Sequence, residues 1–216
     1  MMDLHTHTRY SDGVGLIIDN VSWAEARGLR LVGISDHIHY LTPATFRSYV
    51  AEVRRAAEES EVIVLVGVEA NILDSGPDIT DDFTEKLDYV IASVHDWFGV
   101  GEVHRYLERI KLALMDKNVD VIGHFGNIFP WIGYPSQEEL LEIVELAEAY
   151  GKAFEISSRY RVPEQEFIKL CVRRGVKLTF ASDAHRPEDV GALSWSIKVF
   201  ERAGGKKEDL LFSDLL

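Results

Sequence analysis

The chain has 216 residues, 46% of them hydrophobic, and sets 36 acidic against 23 basic side chains for a net charge of −13. A surface of that sign repels polyanions, which argues against extended nucleic-acid binding through many phosphate contacts. One cysteine, Cys171, excludes an internal disulfide and a cysteine-based zinc cluster. No apolar run approaches the roughly 20 residues that span a bilayer, and the N-terminus lacks a basic-then-apolar secretory pattern, so no membrane partner and a cytoplasmic setting are expected.

One domain over residues 1–216 accommodates this length. Seven short apolar runs punctuate the chain: "MDLHTH" (2–7), "LRLVGISDH" (29–37), "VIVLVGVEA" (62–70), "DYVIASVHD" (88–96), "VDVIGHF" (119–125), "KAFEIS" (152–157) and "VKLTFASDAH" (176–185). Several are apolar without alternation, as parallel strands covered on both faces should be. The segments between them read as helices. "TPATFRSYVAEVRRAAEES" starts with Thr42 as cap and Pro43 in the first turn. "PSQEELLEIVELAEAYG" carries a Ser136/Glu139 capping box and stops at Gly151. "VPEQEFIKLCVRRG" has Pro163 near its start and Gly175 past its end, with Cys171 as a buried filler; "RPEDVGALSWSIKVFERAGG" repeats the plan from Pro187. Strand and helix alternate throughout, which defines an α/β fold.

An open doubly wound sheet or a closed barrel would satisfy this alternation. No glycine-rich phosphate loop follows the first strand, which weakens the dinucleotide-binding open sheet. Polar residues recur at the C-terminal ends of the strands, where barrel enzymes assemble their sites. His5 and His7, two apart on one strand, share a face; the other strand ends deliver His37, Glu69, His95, His124, Asp183 and His185, and Asp12 follows in the first loop. Six of the eight histidines take part, leaving out His39 and His104.

Singly, each has a bland reading: a histidine at a strand end is usually a hydrogen-bonded polar residue, and "SDG" is a common turn in which Asp12 makes an Asx-turn. As a set they do not. Six histidines and three carboxylates at one end of one layer are costly unless a cation compensates them. Imidazole and carboxylate without thiolate suit Zn²⁺, Mn²⁺ or Fe²⁺ over Mg²⁺ or Ca²⁺. Nine ligands are too many for one tetrahedral ion and suit two or three, with one bridging carboxylate.

The ordered motifs "HTHTRYSDG", "SDH", "GVE", "SVH", "GH" and "SDAH" across residues 5–185 resemble the PHP (polymerase and histidinol phosphatase) family of metal-dependent phosphoesterases. The resemblance implies a distorted seven-stranded (β/α)7 TIM-like barrel with a trinuclear centre. One metal would take His5, His7, Glu69 and Asp183, a second would share Glu69 and add His95 and His124, and a third would take Asp12, His37 and His185. "EISSRYR" followed by "SDAHRPEDVG" looks most like the histidinol phosphatases of the family, which are typically longer and carry larger loops.

The expected activity is therefore hydrolysis of a small phosphate monoester, histidinol phosphate first, by a hydroxide bridging two metals. Asp183, His185 and Glu69 would stand at the reacting atoms, with Asp183 or a water protonating the leaving group. Arg159, just past "FEISS", is the preferred phosphate clamp; Arg9 and Arg186 flank ligand motifs and are further candidates. Trp97, Phe98, Phe129 and Trp131 follow ligand-bearing strands and could wall the pocket. The partner is a small phosphorylated metabolite; the alternative is a nuclease or nucleotide phosphodiesterase on the same centre, for which the sequence offers no basic groove.

Overall fold

The computed structural model describes residues 1–216, apart from the side chains of Trp97 and Phe98. Its strands are β1 (Met2–Asp3), β2 (Leu31–Ile34), β3 (Ile63–Leu73), β4 (Gly76–Pro77), β5 (Tyr89–Ser93), β6 (Val121–Ile122), β7 (Ala153–Ser157) and β8 (Leu178–Ala181). The helices are α1 (Ile17–Ala26), α2 (Pro43–Glu58), α3 (Asp81–Thr84), α4 (Trp97–Val100), α5 (Val103–Met115), α6 (Phe129–Ile132), α7 (Gln137–Tyr150), α8 (Gln165–Arg174) and α9 (Ser194–Arg202). Seven strands pair in parallel in the order β1-β2-β3-β5-β6-β7-β8. The ends meet where Leu4 N donates to Phe180 O (3.0 Å) and His7 N to Ala184 O (2.8 Å). The result is a nearly closed, distorted (β/α)7 barrel.

All seven strands occur where apolar runs predict them. Every residue of β2, β5, β7 and β8 is buried, as helices on one face and the barrel interior on the other require. Inside, the Tyr89 ring occupies the space left by two strand glycines. A Cβ on Gly33 would lie 2.0 Å from its hydroxyl oxygen, and one on Gly67 would lie 2.3 Å from its Cζ. The hydroxyl donates to Leu4 O at 2.5 Å, tying β5 to the end of β1.

The helix ends also follow the sequence signals. Thr42 Oγ1 accepts from Thr45 N to cap α2, whose buried stripe is Phe46, Tyr49, Val53 and Ala56. Ser136 and Glu139 make both bonds of the capping box, and Gly151 and Gly175 close α7 and α8 with φ of 65° and 71°. Two features differ from expectation. The helix predicted from Pro187 starts only at Ser194, after a short 3₁₀ turn at Pro187–Asp189, because Gly191 N is committed to Asp3 Oδ2 (2.7 Å). The strand predicted to end near Ala70 runs on to Leu73 and turns back as the two-residue β4. Among the described residues no helix is long and apolar enough to cross a membrane.

Candidate metal centre

The donors gather at the C-terminal mouth of the barrel around Glu69, which lies inside β3 and is 1% exposed. Five imidazoles surround its carboxylate. Oε1 is 3.3 Å from His95 Nε2 and 3.4 Å from His124 Nε2. Oε2 is 3.3 Å from His5 Nε2, 3.6 Å from His7 Nε2 and 3.0 Å from His37 Nδ1. The rings form a closed circuit, with centroids 4.9 Å apart for His5–His7, 4.6 Å for His7–His37, 4.9 Å for His37–His95, 5.4 Å for His95–His124 and 6.2 Å for His124–His5. His185 lies against His7 at 4.3 Å.

The remaining carboxylates complete the cluster. Asp183 Oδ1 is 3.4 Å from both His7 Nε2 and His185 Nδ1, and Asp12 Oδ2 is 3.2 Å from His185 Nε2 and 3.6 Å from His37 Nε2. All nine sequence-predicted donors are thus in one place. Eight of them form overlapping groups in which ligand atoms lie within 4.8 Å of one another: His7, Asp12, His37 and His185; His5, His7 and Asp183; His37, Glu69 and His95; the ninth, His124, approaches Glu69 Oε1.

Local sequence explains how the first loop reaches the cluster. Asp36 accepts from Thr8 N (2.8 Å), Thr8 Oγ1 (2.7 Å) and Ser11 Oγ (2.5 Å), which folds residues 8–12 back toward the mouth. Thr6, between the paired histidines, is buried and donates to Gly33 O (2.8 Å). His124 and Asp183 take positive φ, 27° and 53°, a strained backbone of the kind that persists at sites where surrounding contacts over-determine it.

Electrostatics sharpen the picture. Burial works against charge on His5, but the Glu69 and Glu155 carboxylates on either side outweigh it and raise its pKa well above the ordinary value. Burial likewise opposes ionisation of Glu69, yet the close approach of His5, His95, His124 and His37 holds it well below the usual carboxylate range. For His7 burial prevails and its pKa falls. Burial pushes Asp183 up, but the nearby His7 and His5 rings bring it down to about 2. Despite these attractions His5 Nε2, both ring nitrogens of His7, His37 Nδ1 and Glu69 Oε1 are buried with no hydrogen-bond partner among the described residues. Such orphans are costly. Imidazole nitrogens and carboxylate oxygens, unpartnered and converging, fit divalent cations of the zinc and manganese type.

Several residues that the sequence left unmarked aim these donors. Glu155 Oε2 accepts from His5 Nδ1 at 2.6 Å, which turns Nε2 toward Glu69, and Glu155 Oε1 accepts from His124 N at 3.3 Å. Asn71 Oδ1 accepts from His95 Nδ1 (2.7 Å) while its amide nitrogen faces His39 Nδ1 (3.0 Å) and Asp78 Oδ2 (2.7 Å). Such outer partners fix ring orientation and tautomer. Glu155 could have been found as the one charged residue in the run "FEIS", and Asn71 as the residue two along from Glu69, on the same strand face.

Of the three candidate clamps, Arg159 reaches the mouth. Its guanidinium donates to Asp183 O (2.9 Å) and His185 Nδ1 (2.8 Å) and lines the cleft with Asp12, Glu69 and Asp183. Arg9 directs Nε to Val14 O (2.8 Å), and Arg186 pairs with Glu188 through Nε (2.7 Å) and one terminal nitrogen (2.6 Å). Phe129 is buried and Trp131 is 70% exposed; the side chains of Trp97 and Phe98 lie outside the described residues. Tyr160, also unmarked by the sequence, sits 5.1 Å from the His124 ring and lines the same cleft.

Residues 3–159 match the PHP domain. The chain belongs to the PHP family. A PHP relative, a probable phosphatase of Thermoanaerobacter sp. strain X514, is 34% identical over all of this chain and 91% of its own length. The DNA polymerase/3′–5′ exonuclease PolX of Bacillus subtilis is 31% identical over 86% of this chain and 34% of its own. The histidinol phosphate phosphatase of Lactococcus lactis, solved with zinc, L-histidinol and phosphate, shares the fold with a TM-score of 0.69 at 19% identity, over 95% of this chain and 94% of that one.

Proposed function

We propose that this PHP-family phosphoesterase hydrolyses a small phosphate monoester, with histidinol phosphate the leading candidate, at a centre of two or three divalent ions. The nine residues His5, His7, Asp12, His37, Glu69, His95, His124, Asp183 and His185 would hold them. The observation that carries the reading is the divided Glu69 carboxylate, one oxygen facing His95 and His124 and the other facing His5, His7 and His37. That division is what a carboxylate shared between two cations needs.

When bound, the ions supply charge neutralisation, polarise phosphoryl oxygens and acidify water. The chain's own groups do the rest. Arg159, anchored on Asp183 O yet half exposed, can engage two oxygens of a phosphate dianion. Asp183 is held ionised, so its Oδ2 would take the proton that the attacking water loses and pass it to the oxygen of the leaving alcohol. The burial of His5, His7 and Glu69 keeps bulk water from screening these charges. The zinc, histidinol and phosphate of the Lactococcus structure support both the metal class and the leading substrate.

A second reading, phosphodiester hydrolysis at the same centre, is favoured by the identity with the PolX exonuclease. The net charge of −13 counts against a polymeric substrate and leaves a mononucleotide-scale diester. Turnover of p-nitrophenyl phosphate against bis-p-nitrophenyl phosphate, with Mn²⁺ or Zn²⁺ bound, separates the readings. Preference for the monoester supports the first, preference for the diester the second, and turnover of neither sinks both. A panel of phosphorylated metabolites, headed by histidinol phosphate, then identifies the substrate.

A further inference from the structure

Tyr160 borders two spaces. One is the cleft at the metal cluster; the other is a cavity of about 450 Å³ between the loops that follow β6 and β7. Phe125, Phe129, Phe167 and Tyr134 contribute to its walls, and the Phe125 and Phe167 rings lie 4.7 Å apart at 30°. A cavity of this size and aromatic lining suits a small organic group.

Asn127 also lines it. Its side chain is more than nine-tenths buried, with 8% of the residue exposed. Its backbone is pinned by the Asn127 N to His124 O bond (3.1 Å). Among the described residues neither Oδ1 nor Nδ2 of its amide has a hydrogen-bond partner. A buried primary amide with both ends unmet is costly unless something enters to meet it. An amide offers one acceptor and one donor side by side, so the complementary group is flat and carries one donor and one acceptor.

We propose that this cavity binds the alcohol portion of the substrate, a planar ring that stacks on the phenylalanine walls and meets the Asn127 amide through a ring N–H or ring nitrogen. Only the assignment of the ring to the substrate's alcohol rests on the phosphoesterase reading; ring binding itself does not. Tyr160, which lines both spaces and lies 5.1 Å from the His124 ring, would stand between the ring and the phosphate.

The test uses the zinc-loaded protein with 4-(hydroxymethyl)imidazole and with benzyl alcohol, which lacks the polar edge, read by ligand-observed NMR and by hydrolysis of their phosphate esters. Wild type should bind the imidazole alcohol about tenfold to hundredfold more tightly than benzyl alcohol, the discrimination expected when a buried polar group is left unpaired. Asn127→Leu should abolish that preference, as should Gln137→Trp, which fills the cavity mouth from the exposed first turn of α7 and does not disturb the core. Equal binding in all three proteins, including direct coordination of imidazole to zinc, overturns the proposal. If binding follows Asn127 but neither ester is hydrolysed, the ring site stands and its assignment to the substrate's alcohol falls, while the p-nitrophenyl assay decides the phosphoesterase reading separately.

Discussion

Replacing Glu155 with glutamine isolates the contribution of a residue that contacts the donors and not the substrate. The Glu155 carboxylate is fully buried, with Oε2 accepting from His5 Nδ1 at 2.6 Å and Oε1 from His124 N at 3.3 Å. A glutamine of the same shape cannot keep both bonds. With its NH₂ toward His5, the imidazole must accept at Nδ1 and carry its hydrogen on Nε2, the atom 3.3 Å from Glu69 Oε2, and so loses the lone pair a cation would use. With its NH₂ toward His124, two donors meet. Either orientation forfeits a bond to a charged partner, about 1.5–3 kcal/mol, and removal of such an outer partner typically weakens metal binding by about 10–100-fold.

The assay is titration of chelator-stripped protein with Zn²⁺ against a chromophoric competitor, with near-ultraviolet circular dichroism to confirm the fold. One ion should weaken by that factor while the others shift less, since His5 approaches Glu69 through Oε2 only. Wild-type affinity and stoichiometry in Glu155→Gln would refute the argument that Glu155 orients His5.

Other substitutions probe separate parts of the same reasoning. Glu69→Gln should lower the number of bound ions and abolish hydrolysis; unchanged stoichiometry contradicts a shared carboxylate. Arg159→Ala should raise KM for a phosphorylated substrate by about tenfold to hundredfold, the value of a charge-assisted bond, and an unmoved KM removes Arg159 from phosphate binding. Gly67→Ala places a Cβ 2.3 Å from Tyr89 Cζ, and such overpacking costs about 1–3 kcal/mol; a melting temperature within a degree of wild type would show that the Tyr89 ring yields freely. Burial raises the Cys171 thiol far above its ordinary range. The folded state therefore holds that proton more tightly than the unfolded chain does, so stability should decline as pH climbs past the unfolded thiol value of about 8.5 toward the folded one. Cys171→Ala should flatten that decline, and a thiol reagent that labels Cys171 in the folded protein at neutral pH would contradict its burial.

Sequence periodicity marked the seven barrel strands, and capping chemistry marked the ends of α2, α7 and α8, because both are local properties of a few consecutive residues. The nine clustered donors were legible for a related reason: each is a polar residue at the end of an apolar run, and strand ends in a parallel barrel converge by topology. Glu155 and Asn71 were not, since what distinguishes them is a partner far away in the chain. Glu155 meets His5 across 150 positions and Asn71 meets His95 across 24. Arg159 was already preferred in sequence for its place just past the strand "FEISS", and the Glu188 side chain and the Val14 carbonyl, by engaging Arg186 and Arg9, are what sets the other two apart from it in the fold. Pro187 signalled a helix start, but the demand of buried Asp3 for the Gly191 N–H holds the chain out of helix until Ser194.

The two central glutamates and His124 reach the cluster by different routes. Glu69 and Glu155 lie within strands β3 and β7, in register with Ile91 and Thr179 of their neighbours, so the ladder fixes their backbones. The chain through His5 and His7 stays bonded to both neighbours, with Thr6 bridged to Ala184, whereas β6 has only two residues in regular pairing and releases the chain before His124. A longer ladder would hold successive side chains to strict alternation, sending His124 in or out by parity alone; early release lets its backbone take φ of 27° and bring Nε2 to Glu69 Oε1. Rigid carboxylates at the centre and one imidazole delivered from a loosened strand end are what allow five rings to close on one carboxylate. A short β6 is therefore a requirement of the site, and extending it by regular pairing should break the circuit at His124 before it affects the core.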